Sequence, residues 1–328
     1  MTEASESTNT VPANPLIDAK HISRVYPPGV AAVSDVSLMI REGETLALVG
    51  ESGCGKSTLG RILALLDKPT EGDLSIAGDD VVALNRKQLK PLRREVQMIF
   101  QDPVGSLNPR HTVEGILTEP MKIHALYDVK QQDIEAIKLL ESVGLGEEDL
   151  KKYPHEFSGG QRQRIAIARA LVLNPRFIVA DEPVSALDVS VQSQILNLLV
   201  ELREKFALTY LFISHDMAVV HHIADRVAVM YLGRIVEVAS RDQLFGKPEH
   251  PYTRALLASV PRMTYKKTPM GQVLHGDPPS PLHPPSGCAF HPRCPHAQPI
   301  CRQQCPNLEA IDGSQNQLVA CHFRGEIE

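Results

Sequence analysis

No apolar run in these 328 residues approaches the roughly 18 needed to cross a membrane as a helix, which excludes a transmembrane span. There is no excess of positive charge: the formal net charge is −5, which argues against a duplex-DNA binder working by counterion release. The first residues carry neither a basic start nor an apolar h-region, so no secretory signal peptide is expected. Tryptophan is absent. Cysteine is scarce until the end. Cys54 stands apart, while Cys288, Cys294, Cys301, Cys305 and Cys321 crowd into the last stretch, unlike the even staples of a small secreted domain. No internal repeat or long coiled coil is visible. What is present, 43% hydrophobic residues and 22% charged, suffices for a large core and excludes disorder over the whole chain.

Three regions follow. Residues 1–15 read as a disordered leader. Residues 16–240 alternate short apolar runs with helical periodicity. The runs at 45–49, 177–180, 210–213 and 227–230 are apolar on both faces, as buried parallel strands are. Val191, Ile195, Leu198, Leu199 and Leu202 share one helix face. An α/β layered fold is expected. Residues 241–328 hold 13 of the 25 prolines and are not expected to continue the sheet, because proline lacks an N–H donor.

Gly50-Glu51-Ser52-Gly53-Cys54-Gly55-Lys56-Ser57-Thr58 fits G-x-x-x-x-G-K-[ST] and lies between an expected strand and an expected helix. Glycines let backbone N–H groups face phosphate oxygens, and the helix N-terminus adds a positive dipole end. Lys56 is expected to reach the β- and γ-phosphates of a bound nucleotide, and Ser57 to offer its hydroxyl to Mg²⁺. Cys54 reads as a small filler. Asp181 and Glu182 end an apolar strand. Asp181 suits the metal, and Glu182 suits a general base that polarises the attacking water.

With Phe157-Ser158-Gly159-Gly160-Gln161 the sequence resembles the ATP-binding subunits of ABC transporters. The family's other motifs follow in order: Gln101 at the Q-loop, Ser185-Ala186-Leu187-Asp188 at the D-loop, His215 at the switch position, and Tyr26 where an aromatic residue stacks on adenine. The resemblance implies a P-loop NTPase cassette with a RecA-like mixed-sheet core, a helical subdomain over about 102–158, and a small Pro- and Cys-rich extension. It implies that Ser158, Gly159, Gly160 and Gln161 act on a partner's ATP, that Gln101 joins Ser57 and Asp181 at Mg²⁺, and that two subunits sandwich two ATPs.

The segments Leu107-Asn108-Pro109-Arg110, Tyr153-Pro154-His155-Glu156 and His250-Pro251-Tyr252-Thr253-Arg254, and the tail around Gly287-Cys288 and Arg293-Cys294, are similar to the peptide/nickel importer branch. Within it the chain most resembles the second of two paired ATPases of dipeptide importers. That implies a heterodimeric ATPase pair, two separate permeases, an extracytoplasmic substrate-binding protein, no nucleic acid, and a peripheral place on the cytoplasmic face of the inner membrane. Oligopeptides, antimicrobial peptides and nickel stay open as cargo. A different-class reading, a non-transport ABC ATPase of translation or DNA repair, would bring tandem cassettes or a coiled-coil insertion.

The tail spacing C-x5-C-x6-C-x3-C-x15-C contains no C-x-x-C pair and fits a zinc ribbon poorly. The branch's four-cysteine pattern maps onto Cys288, Cys294, Cys301 and Cys321 and implies a [4Fe–4S] cluster, with Cys305 left over. Cluster, zinc and free thiols in a folded cap all stay open.

Overall fold

The computed structural model describes residues 15–259, 276–311 and 314–326; residues 1–14, nearly all of the expected leader, lie outside them. Its strands are β1 (Pro15–Tyr26), β2 (Val30–Arg41), β3 (Thr45–Val49), β4 (Glu71–Ile76), β5 (Asp79–Asp80), β6 (Val96–Ile99), β7 (Phe177–Asp181), β8 (Thr209–Ser214), β9 (Arg226–Tyr231), β10 (Arg234–Ser240), β11 (Glu309–Ile311) and β12 (Ser314–Val319). Among the described residues they form two sheets. One is antiparallel, in the order β2-β1-β4-β5; the other runs β11-β12-β10-β9-β3-β8-β7-β6. The stretch β9-β3-β8-β7-β6 is parallel, and β10, β12 and β11 complete it antiparallel.

Every residue of β3, β7 and β8 is buried, as both-face apolar runs require. Their side chains divide by the pleat. Ile178, Ala180, Tyr210 and Phe212 pack with the helix Val189–Phe206 through Ile195, Leu198, Leu199 and Leu202. Phe177, Val179, Leu211 and Ile213 pack on the other face with Leu59, Ile62 and Leu63 of the helix Lys56–Leu63 and with the antiparallel sheet. The period-3.6 stripe therefore lies where its sequence pattern placed it.

Between β6 and β7 lies a helical group. Val113–Ile123 is capped by Thr112 and Val129–Ser142 by Asp128 in a reciprocal capping box. Both bury Ile116, Leu117, Met121, Ala136 and Leu140 against the helix Gly159–Leu171.

The extension departs from expectation. It does continue the main sheet: β12 pairs antiparallel with β10, Glu237 opposite Val319 and Val238 opposite Leu318. The physical reason is local. The last proline is Pro306, and the residues after it are free to donate to a ladder. Two further contacts hold the extension down. Tyr231 of β9, Tyr252 of the helix Pro251–Ala258 and Phe290 form a buried aromatic cluster with ring centroids 4.7–5.5 Å apart. Glu237, fully buried on β10, accepts hydrogen bonds from the N–H groups of Glu249 and His250 and from Gln317 Nε2, at 2.9–3.0 Å. Burial raises its carboxyl, while those donors oppose the shift.

Candidate active site

β3 ends at Val49, and the loop that follows turns back into the helix Lys56–Leu63. Two of its glycines are dictated by space. A Cβ on Gly55, at φ 105°, would sit 2.0 Å from the Ala32 carbonyl oxygen, and one on Gly50 would sit 2.2 Å from that of Met230. Lys56 is buried, and its Nζ donates to the carbonyls of Gly50 (2.8 Å) and Glu51 (2.9 Å). Burial pushes the Cys54 thiol up, with Lys56 opposing, and its Sγ lies 3.8 Å from Lys56 Nζ. A buried, protonated thiol packs as a small apolar group. Ser52 and Gly53 are exposed at the tip, and Thr58 is half-buried on the helix's first turn.

The carboxyl ends of neighbouring strands deliver the other groups. Ser57 Oγ donates to Asp181 Oδ1 at 3.0 Å, joining the phosphate-loop helix to the end of β7. Burial raises the Asp181 carboxyl, and the Ser57 hydrogen bond offsets part of that. Glu182 has a left-handed backbone, φ 46°, strained for a non-glycine residue, and its N–H donates to Ile213 O at 3.0 Å. In that pose its two oxygens face two partners: Gln101 Nε2 donates to Oε2 at 3.0 Å, and His215 Nδ1 lies 3.2 Å from Oε1. Gln101 follows β6 and His215 follows β8, so three adjacent strand ends converge on one carboxylate. The Glu182 side chain is 16% exposed and that of His215 is 59%, which leaves the cluster open from the histidine side.

Ser158 and Gln161 cap the helix Gly159–Leu171 reciprocally: the Gln161 N–H donates to Ser158 Oγ and the Ser158 N–H to Gln161 Oε1. Ser158, Gly159 and Gln161 are exposed, and Gly160 abuts Val191, so this corner lies beside Asp188, the N-cap of the helix Val189–Phe206. The start of this helix is open to solvent at Ser158, Gly159 and Gln161. Tyr26 is half-buried. Its hydroxyl donates to Asp67 Oδ2 at 2.6 Å, and the Arg24 guanidinium lies 4.6 Å over its ring, covering one face.

Cys288, Cys294, Cys301 and Cys321 converge on one small cavity of about 20 Å³, while Cys305 is exposed and lies outside its lining. Burial in this apolar setting pushes the Cys288 thiol up to about 12 and that of Cys294 up to about 11, and neighbouring thiols add to the shift. The [4Fe–4S] expectation meets a disagreement here. The four residues of the expected set are gathered, yet among the described residues no group of three or more His, Cys, Asp or Glu side chains is arranged to hold a metal ion. The groups as placed form a packed thiol cap. A cavity of about 810 Å³ lies away from these strand ends, lined by residues of β1, β2, β10 and the tail.

Three contacts were not legible in the sequence. The Glu51 N–H donates to Tyr252 Oη at 2.9 Å, and the Glu51 carboxylate pairs through both oxygens with Arg293 at 2.7 and 3.0 Å. The Gly233 N–H of the β9–β10 turn donates to Cys54 O at 2.8 Å. The only available signal was an acid in a variable position of the loop.

No helix among the described residues is long and apolar enough to cross a membrane. The ABC transporter family model matches residues 33–185, and the model of the oligopeptide/dipeptide transporter C-terminal region matches 236–301. The chain is 53% identical to the oligopeptide transport ATP-binding protein AppF of Bacillus subtilis, covering 90% of each chain. It is 48% identical to the dipeptide transport ATP-binding protein DppF of Escherichia coli, covering 94% of each. Among solved structures, the dimeric post-hydrolysis ATP-binding cassette MJ0796, bound to ADP and Pi, is similar at TM-score 0.63 and 32% identity, covering 69% of this chain and 98% of that one. The loop, the strand-end carboxylates and these likenesses agree: the chain belongs to the ATP-hydrolysing, ATP-binding subunits of ABC transporters, in the oligopeptide/dipeptide branch.

Proposed function

We propose that this chain binds ATP at the 50–58 loop and hydrolyses it to drive import of dipeptides or other short peptides through separate permeases. The observation that carries the chemistry is the Glu182 carboxylate held between Gln101 and His215 beside the Ser57–Asp181 pair. Lys56 and the loop N–H groups bind and orient the β- and γ-phosphates. Glu182 accepts a proton from water as its oxygen attacks the γ-phosphorus, and the bond to the β-phosphate oxygen breaks to give ADP and phosphate. On this reading His215 orients the carboxylate and donates to a γ-phosphate oxygen. Tyr26 stacks on adenine. The oxygens of Ser57, Asp181 and Gln101 are hard donors that suit Mg²⁺, which would supply charge neutralisation for the phosphates.

The exposed Ser158–Gln161 corner and Asp188 serve the ATP of a second ATPase subunit, so two half-sites form across a dimer, a heterodimer on the branch reading. Closure of that dimer works two membrane permeases, with peptide delivered by a substrate-binding protein, and the chain sits peripherally on the cytoplasmic face of the membrane. The names DppF and AppF of the relatives favour peptides as cargo. The test is ATPase activity of the complex reconstituted with its permeases and binding protein. Stimulation by dipeptides supports the reading, stimulation by longer peptides alone reassigns the cargo, and full turnover indifferent to permeases removes the transport role.

The convergence of Cys288, Cys294, Cys301 and Cys321, with Cys305 outside, supports a four-thiolate iron–sulfur site as a finer reading. Iron and sulfide assay with a visible spectrum of anaerobically purified protein tests it. A folded, colourless, iron-free preparation leaves the thiol cap or, if zinc is found, a zinc site.

A further inference from the structure

We propose that Arg293 is a positioning residue for ATP: it holds the phosphate loop through a two-pronged pair with Glu51, so that the C-terminal cap sets nucleotide affinity. The proposal rests on the reading of the 50–58 loop as the ATP site.

The geometry is unusual in its reach. Glu51 is the first residue after Gly50, and its own carbonyl is one of the two that Lys56 Nζ occupies. Its N–H is held by Tyr252 and its carboxylate by Arg293, both from the extension. The Arg293 side chain is only 6% exposed; its Nη1 also reaches Tyr231 Oη at 3.4 Å, and the guanidinium carbon lies 5.9 Å from that ring's centroid. Arg293 ends the turn His291–Arg293, next to Cys294 and three residues after Phe290 of the aromatic cluster. The cap's fold thus fixes where the guanidinium points.

Two physical effects follow. A bidentate Arg–carboxylate pair restrains orientation as well as distance, so the loop's backbone is ordered before nucleotide arrives. The pair also neutralises a carboxylate that would otherwise repel the triphosphate bound by the same loop. Removing Arg293 leaves Glu51 charged and unpaired beside the phosphates.

The test is a titration of full-length protein with a fluorescent ATP analogue, alongside steady-state kinetics. Arg293→Met is expected to raise Kd and KM for ATP about tenfold, with kcat little changed, the scale of one uncompensated charge near a polyanion. Adding Glu51→Gln in that background removes the charge and is expected to recover most of the loss. Should Arg293→Met fail to fold, Arg293→Lys keeps the charge but gives up the fork, and a rise of about threefold in Kd is expected. A merely structural role would produce no such rescue. An unchanged Kd in the arginine variants, or equal losses with and without Glu51→Gln in the Arg293→Met background, overturns the proposal. If wild-type protein takes up no nucleotide, the ATP-site reading fails and takes this one with it; uptake by wild type with no Arg293 effect overturns this one alone.

Discussion

The nucleotide-site region and the C-terminal extension are built by different means. Around the 50–58 loop the work is done by backbone: glycines at close approaches, strand ends side by side, and a helix start. In the extension it is done by side chains reaching across: an aromatic cluster, a buried glutamate latched to two N–H groups, and four gathered thiols. Backbone devices demand particular residues at fixed spacing, whereas side-chain latches accept many partners at any distance in sequence.

Four effects sharpen this contrast. The largest effect belongs to Glu182→Gln, expected to slow hydrolysis about 10³-fold while ATP binding persists. A phosphate-release assay beside an ATP-binding titration checks it, and undiminished turnover would remove Glu182 from the general-base role. Next, Phe290→Ala, which empties the centre of the aromatic cluster, should cost about 3–5 kcal/mol, read by denaturant unfolding. A loss below about 1 kcal/mol would mean that the extension does not lean on that cluster.

The third is a pH effect. His250 is wholly buried, and burial lowers it to about 3. The unfolded chain takes up this proton near pH 6.5 and the folded chain does not, so stability present above pH 6.5 drains away as pH falls toward 3. The loss from this residue should reach about 2 kcal/mol by pH 5. His250→Asn keeps an acceptor for the Tyr252 N–H and should flatten the profile, measured by melting across pH 7 to 5. Glu237, raised by burial, works in the opposite direction, so Glu237→Gln should steepen it. The smallest effect is that of Cys305→Ser. The residue is exposed and outside the thiol-lined cavity, so its stability change should stay within about 0.5 kcal/mol. A larger loss would show that Cys305 belongs to the cap.

This division explains what could be read in advance. The strand at β3 was legible to the residue, and those at β7, β8 and β9 to within one residue at either end, because both-face burial writes itself as an apolar run. The helix Val189–Phe206 was legible from its stripe. The family's motifs named Gln101, Glu182 and His215 individually; that two of them would face the two oxygens of the third depends on strand order and on a left-handed residue at 182. Arg293 and Glu51 stand 242 positions apart and carry no periodic mark, so no local pattern could pair them. The proline-rich composition of the tail concealed β12, because composition averages over a stretch whose prolines all precede it.

The pairing of β12 with β10 also bears on the order in which the molecule is made. Residues 237 and 319 must meet across a loop that includes the whole cap, while β9, β3, β8 and β7 find their partners earlier in the chain. During synthesis the β10 edge therefore stands open, with its ladder groups unpaired, until the tail arrives. For that interval the free side of β10 is a sticky edge, a template on which another chain can pair.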